Sequence, residues 1–301
     1  MVKLIPVNYY GLCYPHGITA PLSEVAGHFG KCTVATQLPF SLHTEYSAAP
    51  RRLSKLAMEY ASIRESVRDG VPLLWTSEAW AEDFAAFLRQ LCGAVPPQVL
   101  ELHPPFKFYC NIEQFFHRYS IFEAILRQWA PDTLVVIENR FGTSLKTQKN
   151  TPAPFLLRTY QDFVAVSQAL DSSGLRLRFA FDVPQLLSAH RLLVQTQKLV
   201  PLLEHMKQIR HNIASIHLWG RSGRASHVGT LDTMFAGNAT LKAQFLCALY
   251  ELLDDGRPRY FVPEVNRQNQ ADFSAIIQDL LDAGFTFDAS LPSWKPSCAA
   301  L

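Results

Sequence analysis

The chain of 301 residues has six cysteines (Cys13, Cys32, Cys92, Cys110, Cys247 and Cys298) but no C-x-x-C pair. Thiols scattered in this way argue against a zinc knuckle or a disulfide framework and predict reduced cysteines in a cytosolic protein. Long apolar runs are missing too. None approaches the length that spans a bilayer, and the opening MVKLIPVNYYG lacks the apolar core of a signal peptide. A cytoplasmic protein without membrane contact is therefore expected. Charge of one sign is scarce: 28 basic against 26 acidic residues leave a formal net charge of +2, too little for non-specific nucleic-acid binding. No G-x-G-x-x-G follows the first apolar stretch, which removes the dinucleotide-binding fingerprint. No low-complexity tract or linker splits the chain.

What is present is a repeated design. Residues 132–140 read DTLVVIENR, a run of β-preferring apolar residues closed by Glu138 and followed by Asn139. LRLRFAFD ends in Asp182, IASIHLWG carries His217, RYFVPEVN carries Glu264, and QVLELHPP ends at His103. A charged group closing a buried strand is expensive, so a set of them asks for a shared partner, and a divalent cation is the simplest one. Short strands that each deliver one metal-competent side chain at their C-terminal end predict an α/β fold of the (β/α)8 TIM-barrel type, a single domain with its active site at that face.

Along the chain, strands are expected at residues 3–7, 38–43, 99–103, 134–138, 177–182, 213–218, 260–264 and, weakly, 285–287. Helices are expected at 19–29, 50–68, 77–91, 120–129, 159–172, 190–210, 241–253 and 271–282. The helical spans follow apolar spacing, as in Leu53, Leu56, Ala57, Tyr60, Ile63 and Val67. VPLLW at 71–75 reads equally as strand or buried turn. Alternation of this kind indicates a parallel sheet. The barrel is expected over residues 1–290, with a loose tail at 291–301.

Six short pieces carry a family resemblance: ELHPP at 101–105, VIEN at 136–139, FD at 181–182, SIHLWG at 215–220, HVGTLD at 227–232 and PEVN at 263–266. Their order on alternating strands resembles the xylose isomerase-like TIM-barrel superfamily, which includes sugar isomerases, epimerases and the endonuclease IV type of apurinic-site nuclease. The resemblance covers roughly residues 99–284. It implies Glu138, Asp182, His217 and Glu264 as ligands of one divalent metal, Mn²⁺, Co²⁺ or Mg²⁺ first, with Zn²⁺ or Fe²⁺ not barred. It also implies Glu138 and Glu264 as the acid/base pair of an isomerase or epimerase. The substrate would be a small sugar, sugar phosphate or hydroxy-keto acid, reacting through an enediolate.

The pattern departs from the family at Gln185, where a histidine is usual, and at Ala225-Ser226-His227, where the nuclease branch has Asp-x-His. Two alternatives remain open: phosphodiester hydrolysis, with His103 and His227 as further ligands, and iron-dependent oxidation of a peptide or metabolite on a related barrel. Substrate contacts are expected from His43, His103, Asn139, Gln185, Trp219 and Arg221. Glu45, like His43, reads either as a further ligand or as a residue that only lines the pocket. His16, His28, His190, His205 and His211 read as surface or helix residues, and Trp75, Trp80 and Trp129 as core. Arg140, Lys146, Lys149, Arg221, Arg224 and Arg267 fall in loops on the active-site rim, and read either as solvated loop charges or as a rim for an anionic small molecule. Nucleic acid is not the expected partner, and pairing into a homo-oligomer through outer helices is open.

Overall fold

Strands buried on both faces read as near-continuous apolar runs, and the runs found in the sequence become strands of a closed ring. The computed structural model describes residues 1–34, 39–190, 198–223 and 225–291. Its ring comprises β1 (Lys3–Asn8), β2 (Leu22–Ala26), β3 (Phe40–His43), β4 (Val99–Leu102), β5 (Leu134–Glu138), β6 (Leu177–Asp182), β7 (Ile213–His217) and β8 (Arg259–Val262). All neighbours are parallel, and β8 closes on β1 with Leu4 opposite Arg259 and Pro6 opposite Phe261. Helices lie outside: α1 (Glu78–Cys92), α2 (Ile112–Leu126), α3 (Tyr160–Ser173), α4 (Val183–Ala189), α5 (Leu199–Met206), α6 (Ala239–Leu253) and α7 (Gln270–Asp282). The chain is thus a (β/α)8 barrel.

Two apolar layers follow from strand alternation. Ile5, Val7, Leu22, Val99, Val136 and Val262 form a small cluster inside the ring. Leu4, Leu42, Leu100, Ile137, Phe179 and Ile216 belong to the larger cluster shared with the helices. Trp75 and Trp80 are fully buried in that outer layer, as read from sequence. Trp75 meets Phe115 edge-on at 5.2 Å.

Several segments differ from expectation. Residues 19–29 do not form a helix. Leu22 and Glu24 are buried while Ser23 and Val25 are only half-buried, a period of two, and pairing with both β1 and β3 overrides local helix spacing. Residues 50–68 are two short helices, Lys55–Met58 and Ala61–Glu65, and then a hairpin of Val67–Arg68 with Val71–Pro72. The hairpin turns on Asp69 and Gly70 at φ +50° and +77°, the Asp-Gly signal of a tight turn. This places Val71 of VPLLW in a strand and Trp75 in a buried loop.

α2 starts earlier than residue 120, because Asn111 and Gln114 form a capping box. The expected last strand is not a member of the ring: Thr286–Phe287 pairs only with Lys3 and Leu4 of β1, and β8 is the strand at 259–262. Within the expected helix 190–210, residues 191–197 lie outside the described ones, as do Leu38, Arg224 and the tail from 292 onward.

Candidate metal centre

Parity decides which side chains enter the mouth. On β4, Val99 faces inward, so Glu101 and His103 do as well. On β5, Val136 brings Glu138 with it, and on β8, Val262 sets the phase for Glu264 two residues beyond the strand end. His43 lies directly opposite Glu101, and Val262 opposite His217. β7 needs a correction to its phase. Phe179 pairs with Ile213 but Ala180 pairs with Ser215, so Ala214 is an extra residue. Without this bulge, alternation from the inward-facing Ala214 would turn Ile216 inward and His217 away.

The result is a cluster of buried donors. Glu101, Glu138, His217 and Glu264 offer ligand atoms that all lie within 4.8 Å of one another. His43, Glu101, His103 and Glu138 form a second such group, and Glu24, His43 and Glu264 a third. His217 reaches Glu101 through Nε2 at 2.9 Å and Glu264 through Nδ1 at 3.3 Å. His103 Nε2 is 2.8 Å from Glu138. His43 Nδ1 is 3.0 Å from Glu24 and 3.3 Å from Glu101, with its ring stacked on His103 at 4.8 Å.

Charge is the dominant fact of this cluster. Glu24, Glu101, Glu138 and Glu264 are each at most 5% exposed, and Arg140, 3.1 Å from Glu138, is the one arginine or lysine paired with them among the described residues. Protons make up the deficit. Burial disfavours a charge on His43, but Glu101, Glu24 and Glu138 outweigh it and raise its pKa to about 10. His217 is raised well above the usual imidazole range because Glu101 and Glu264 overcome its burial. Burial lifts Glu101 to about 7 against the pull of His217 and His43. His103 is lowered to about 4, chiefly by burial. Burial also opposes the charge of Glu138, yet Arg140 and His103 hold it well below the carboxylate range.

Glu24 Oε2 and Glu101 Oε1 are buried without hydrogen-bond partners, and His217 Nε2 faces the Glu101 carboxylate at 2.9 Å without hydrogen-bond geometry. Orphaned donor atoms in an acidic pocket that must otherwise load protons are what a divalent cation would satisfy. The residues present fit such an ion. A cavity of about 300 Å³ opens above them, walled by Tyr9, Tyr10, Tyr46 and Arg140. Burial pushes the Tyr10 phenol up to about 12 and holds that of Tyr9 higher still.

The other expected site residues take defined places. Asp182 caps α4 by accepting from the Gln185 N–H at 2.8 Å, and its other oxygen accepts from Trp219 Nε1 at 3.1 Å. It belongs to none of the three donor groups. Asn139 clamps β5 to β6, donating to the Asp182 carbonyl at 2.9 Å and accepting its N–H at 2.8 Å. Gln185 donates to Glu138 at 3.2 Å. His227 donates Nδ1–H to the Glu264 carbonyl at 2.7 Å and packs on Trp219 with ring centroids 4.3 Å apart. Arg221 donates to the Gly223 carbonyl and makes no contact with the cluster. Glu45 is structural, paired with Arg51 at 2.9 Å.

Glu24 and Glu101 were not expected as parts of the centre, Arg140, expected on the rim, pairs with Glu138, and His28, expected as a surface or helix residue, borders the cavity. A signal for Glu101 existed: it precedes His103 by two residues on one strand and must share its face. Glu24 had none once its segment read as helix.

No protein-family model matches the chain, and no curated protein matches it. Solved structures with related outlines include a protein from Sinorhizobium meliloti 1021 (9% identity, 82% of this chain and 78% of that one, TM-score 0.39). A GH53 catalytic domain from Ignisphaera aggregans aligns at 12% identity over 80% and 74% of the chains, TM-score 0.34. A GH5 xyloglucanase from Bacteroides ovatus aligns at 10% over 81% and 64%, TM-score 0.32. Likenesses this weak carry nothing about family, reaction or substrate. Among the described residues, no helix is long and apolar enough to cross a membrane.

Proposed function

We propose that the chain is a divalent-metal-dependent isomerase or epimerase of the xylose isomerase-like group, acting on a small sugar, sugar phosphate or hydroxy-keto acid. The observation that supports it most is the buried group Glu101, Glu138, His217 and Glu264, with one imidazole and three carboxylates inside 4.8 Å. That is the donor composition expected from sequence, with Glu101 in place of Asp182, and it suits Mn²⁺, Co²⁺ or Mg²⁺. The cation, when bound, supplies polarisation of a carbonyl and offsets the charge that develops as a neighbouring proton leaves.

In this reading Glu264 and Glu138 move that proton, one taking it and the other returning it. Arg140 and Gln185 hold Glu138 ionised and oriented. The Tyr9 and Tyr10 phenols, kept protonated by burial, donate to substrate hydroxyls. The cavity of about 300 Å³ is at the small end of ligand pockets. The test is metal content per chain by elemental analysis, followed by incubation with ketoses in D2O. One Mn, Co or Mg per chain and deuterium at the carbon beside the carbonyl are expected, with Glu264→Gln lowering exchange at least ~100-fold. Unaltered exchange in that variant would sink the assignment.

A second reading has its own observation. His43 and His103 form a further four-donor group that shares Glu101 and Glu138 with the first. Were each group to hold a cation, Glu101 and Glu138 would be common to both, and such a pair would supply metal-assisted phosphodiester hydrolysis. Two or three zinc ions per chain together with cleavage of abasic-site DNA would replace the isomerase reading. Two or three irons with oxygen consumption would point to oxidation.

A further inference from the structure

A second cavity lies beside the loop that follows β5, at residues 140–158. This loop is a built element. Lys146 and Pro152 form an antiparallel bridge, Ala153 donates to the Leu145 carbonyl at 2.9 Å, and the Thr147 and Thr151 hydroxyls meet at 2.8 Å. Its buried side chains Leu145, Ala153 and Phe155 pack on Phe106, Val71 and Leu73, a small core separate from those of the barrel.

The cavity holds about 800 Å³, and its lining is one-sided in charge. Arg68, Lys146, Lys149 and Arg158 line it, and among the described residues no carboxylate does. Arg68 has Asp69 nearby at 4.0 Å, whereas Lys146, Lys149 and Arg158 take part in no ion pair among the described residues. Arg158 lies over the Phe141 ring at 5.0 Å, and its Nε is buried without a hydrogen-bond partner. Cations gathered without counter-charge leave a field that an anion would satisfy.

One wall is aromatic. Phe155, Phe106 and Phe108 stack in series, with centroids 4.5 Å and 6.1 Å apart and both pairs inclined at 25°. Phe108, the end of that stack, lines the cavity and is 48% exposed. A flat ring laid on Phe108 would continue the stack and cover an apolar face now in water.

We propose that this cavity binds a metabolite that joins a phosphate to a flat ring, the chemistry of a nucleoside phosphate. The phosphate meets Lys146, Lys149 and Arg158, and the ring meets Phe108. The cavity and the metal cluster are neighbours through Arg140, which pairs with Glu138, and Phe141, which lines the new site. The inference rests on the cavity alone and stands or falls separately from the isomerase reading.

The test is calorimetric titration of the full chain, as purified and after EDTA treatment, with ADP, adenosine and inorganic phosphate. ADP is expected to bind in both preparations, with adenosine and phosphate each at least ~10-fold weaker, as expected when two anchors act together. Replacing Lys146 and Lys149 together by Glu should weaken ADP at least ~10-fold, because both cations are removed and two repelling charges take their place. Phe108→Ala should weaken ADP and adenosine while leaving phosphate unchanged. All three positions are exposed, so the variants keep the fold. Failure of ADP to bind at millimolar concentration, binding indifferent to the lysine pair, or binding lost on EDTA treatment would each overturn the proposal. Tight binding of a single-stranded oligonucleotide without binding of ADP would overturn it in favour of a nucleic-acid groove.

Discussion

Asp182 and Glu101 are both buried carboxylates at the barrel mouth, yet they are held for different purposes. Asp182 spends both oxygens on protein donors, a backbone N–H that starts α4 and the indole of Trp219. Glu101 keeps Oε1 without a hydrogen bond and faces two histidines. A free lone pair is what a cation needs, so the two substitutions should separate. Glu101→Gln is expected to lower metal affinity at least ~10-fold, the scale on which partners of metal sites act, with the fold intact. Asp182→Asn is expected to keep the metal but lose stability by about 1–2 kcal/mol, because the amide keeps the helix cap yet offers the buried Trp219 N–H no acceptor. Metal content by elemental analysis and thermal melts of both variants decide it. A metal-free Asp182→Asn with a full complement in Glu101→Gln would restore the ligand set expected from sequence.

Among the elements, the connection after β7 shows how backbone contact positions a side chain. A Cβ on Gly220 would lie 1.8 Å from the Gly229 carbonyl oxygen, so two stretches of main chain touch where only glycine fits. That contact folds the loop back and sets His227, itself at φ +63°, against Glu264; the His227 carbonyl also accepts from Asn266 at 2.8 Å. Backbone cannot swing aside as a flexible side chain can. Gly220→Ala is therefore expected to destabilise by at least ~2 kcal/mol, about 3 °C in the melting temperature of a chain this size, and to weaken metal binding by freeing the residues around Glu264. Unchanged melting and metal content would show that the loop tolerates the displacement.

For the whole molecule, the mouth couples protons to stability, and a bound metal would enter the same balance. His43 has a folded pKa of about 10 against an unfolded value of about 6.5. Its contribution is fully present below about pH 6.5 and is lost as pH rises toward 10. His217, also raised, acts in the same direction. Glu101, raised to about 7, loses its contribution as pH climbs through that value. His103, lowered to about 4, acts with the opposite sign, but only between about pH 4 and 6.5. The EDTA-treated protein should thus lose stability from pH 7 to 10, by up to ~1.4 kcal/mol per pH unit for each titrating group. Bound Mn²⁺ should flatten that slope, because imidazole ligates only when neutral. Titrating Mn²⁺ at pH 8 should release at least one proton. Melts across pH and calorimetry in buffers of different ionisation heat test both. A flat metal-free profile and no proton release would mean the cluster does not hold its charges with protons.

The barrel was legible because its signals are local. Apolar runs of strand length, each ending in a carboxylate or imidazole, reveal themselves one segment at a time, and β4 to β7 appear within a residue or so of where they were read. Glu138, His217 and Glu264 were legible as buried strand-end residues of one mouth for the same reason. What lies between segments was not. Whether residues 22–26 run as strand or helix depends on the β1 and β3 edges beside them. Whether His217 faces in depends on one extra residue, Ala214, which shows only against the register of β6. Composition and periodicity alone establish an α/β chain with metal-competent strand ends. Tertiary pairing decides which of those ends meet, because a donor group is a distance among distant residues, and ring closure is what sets those distances.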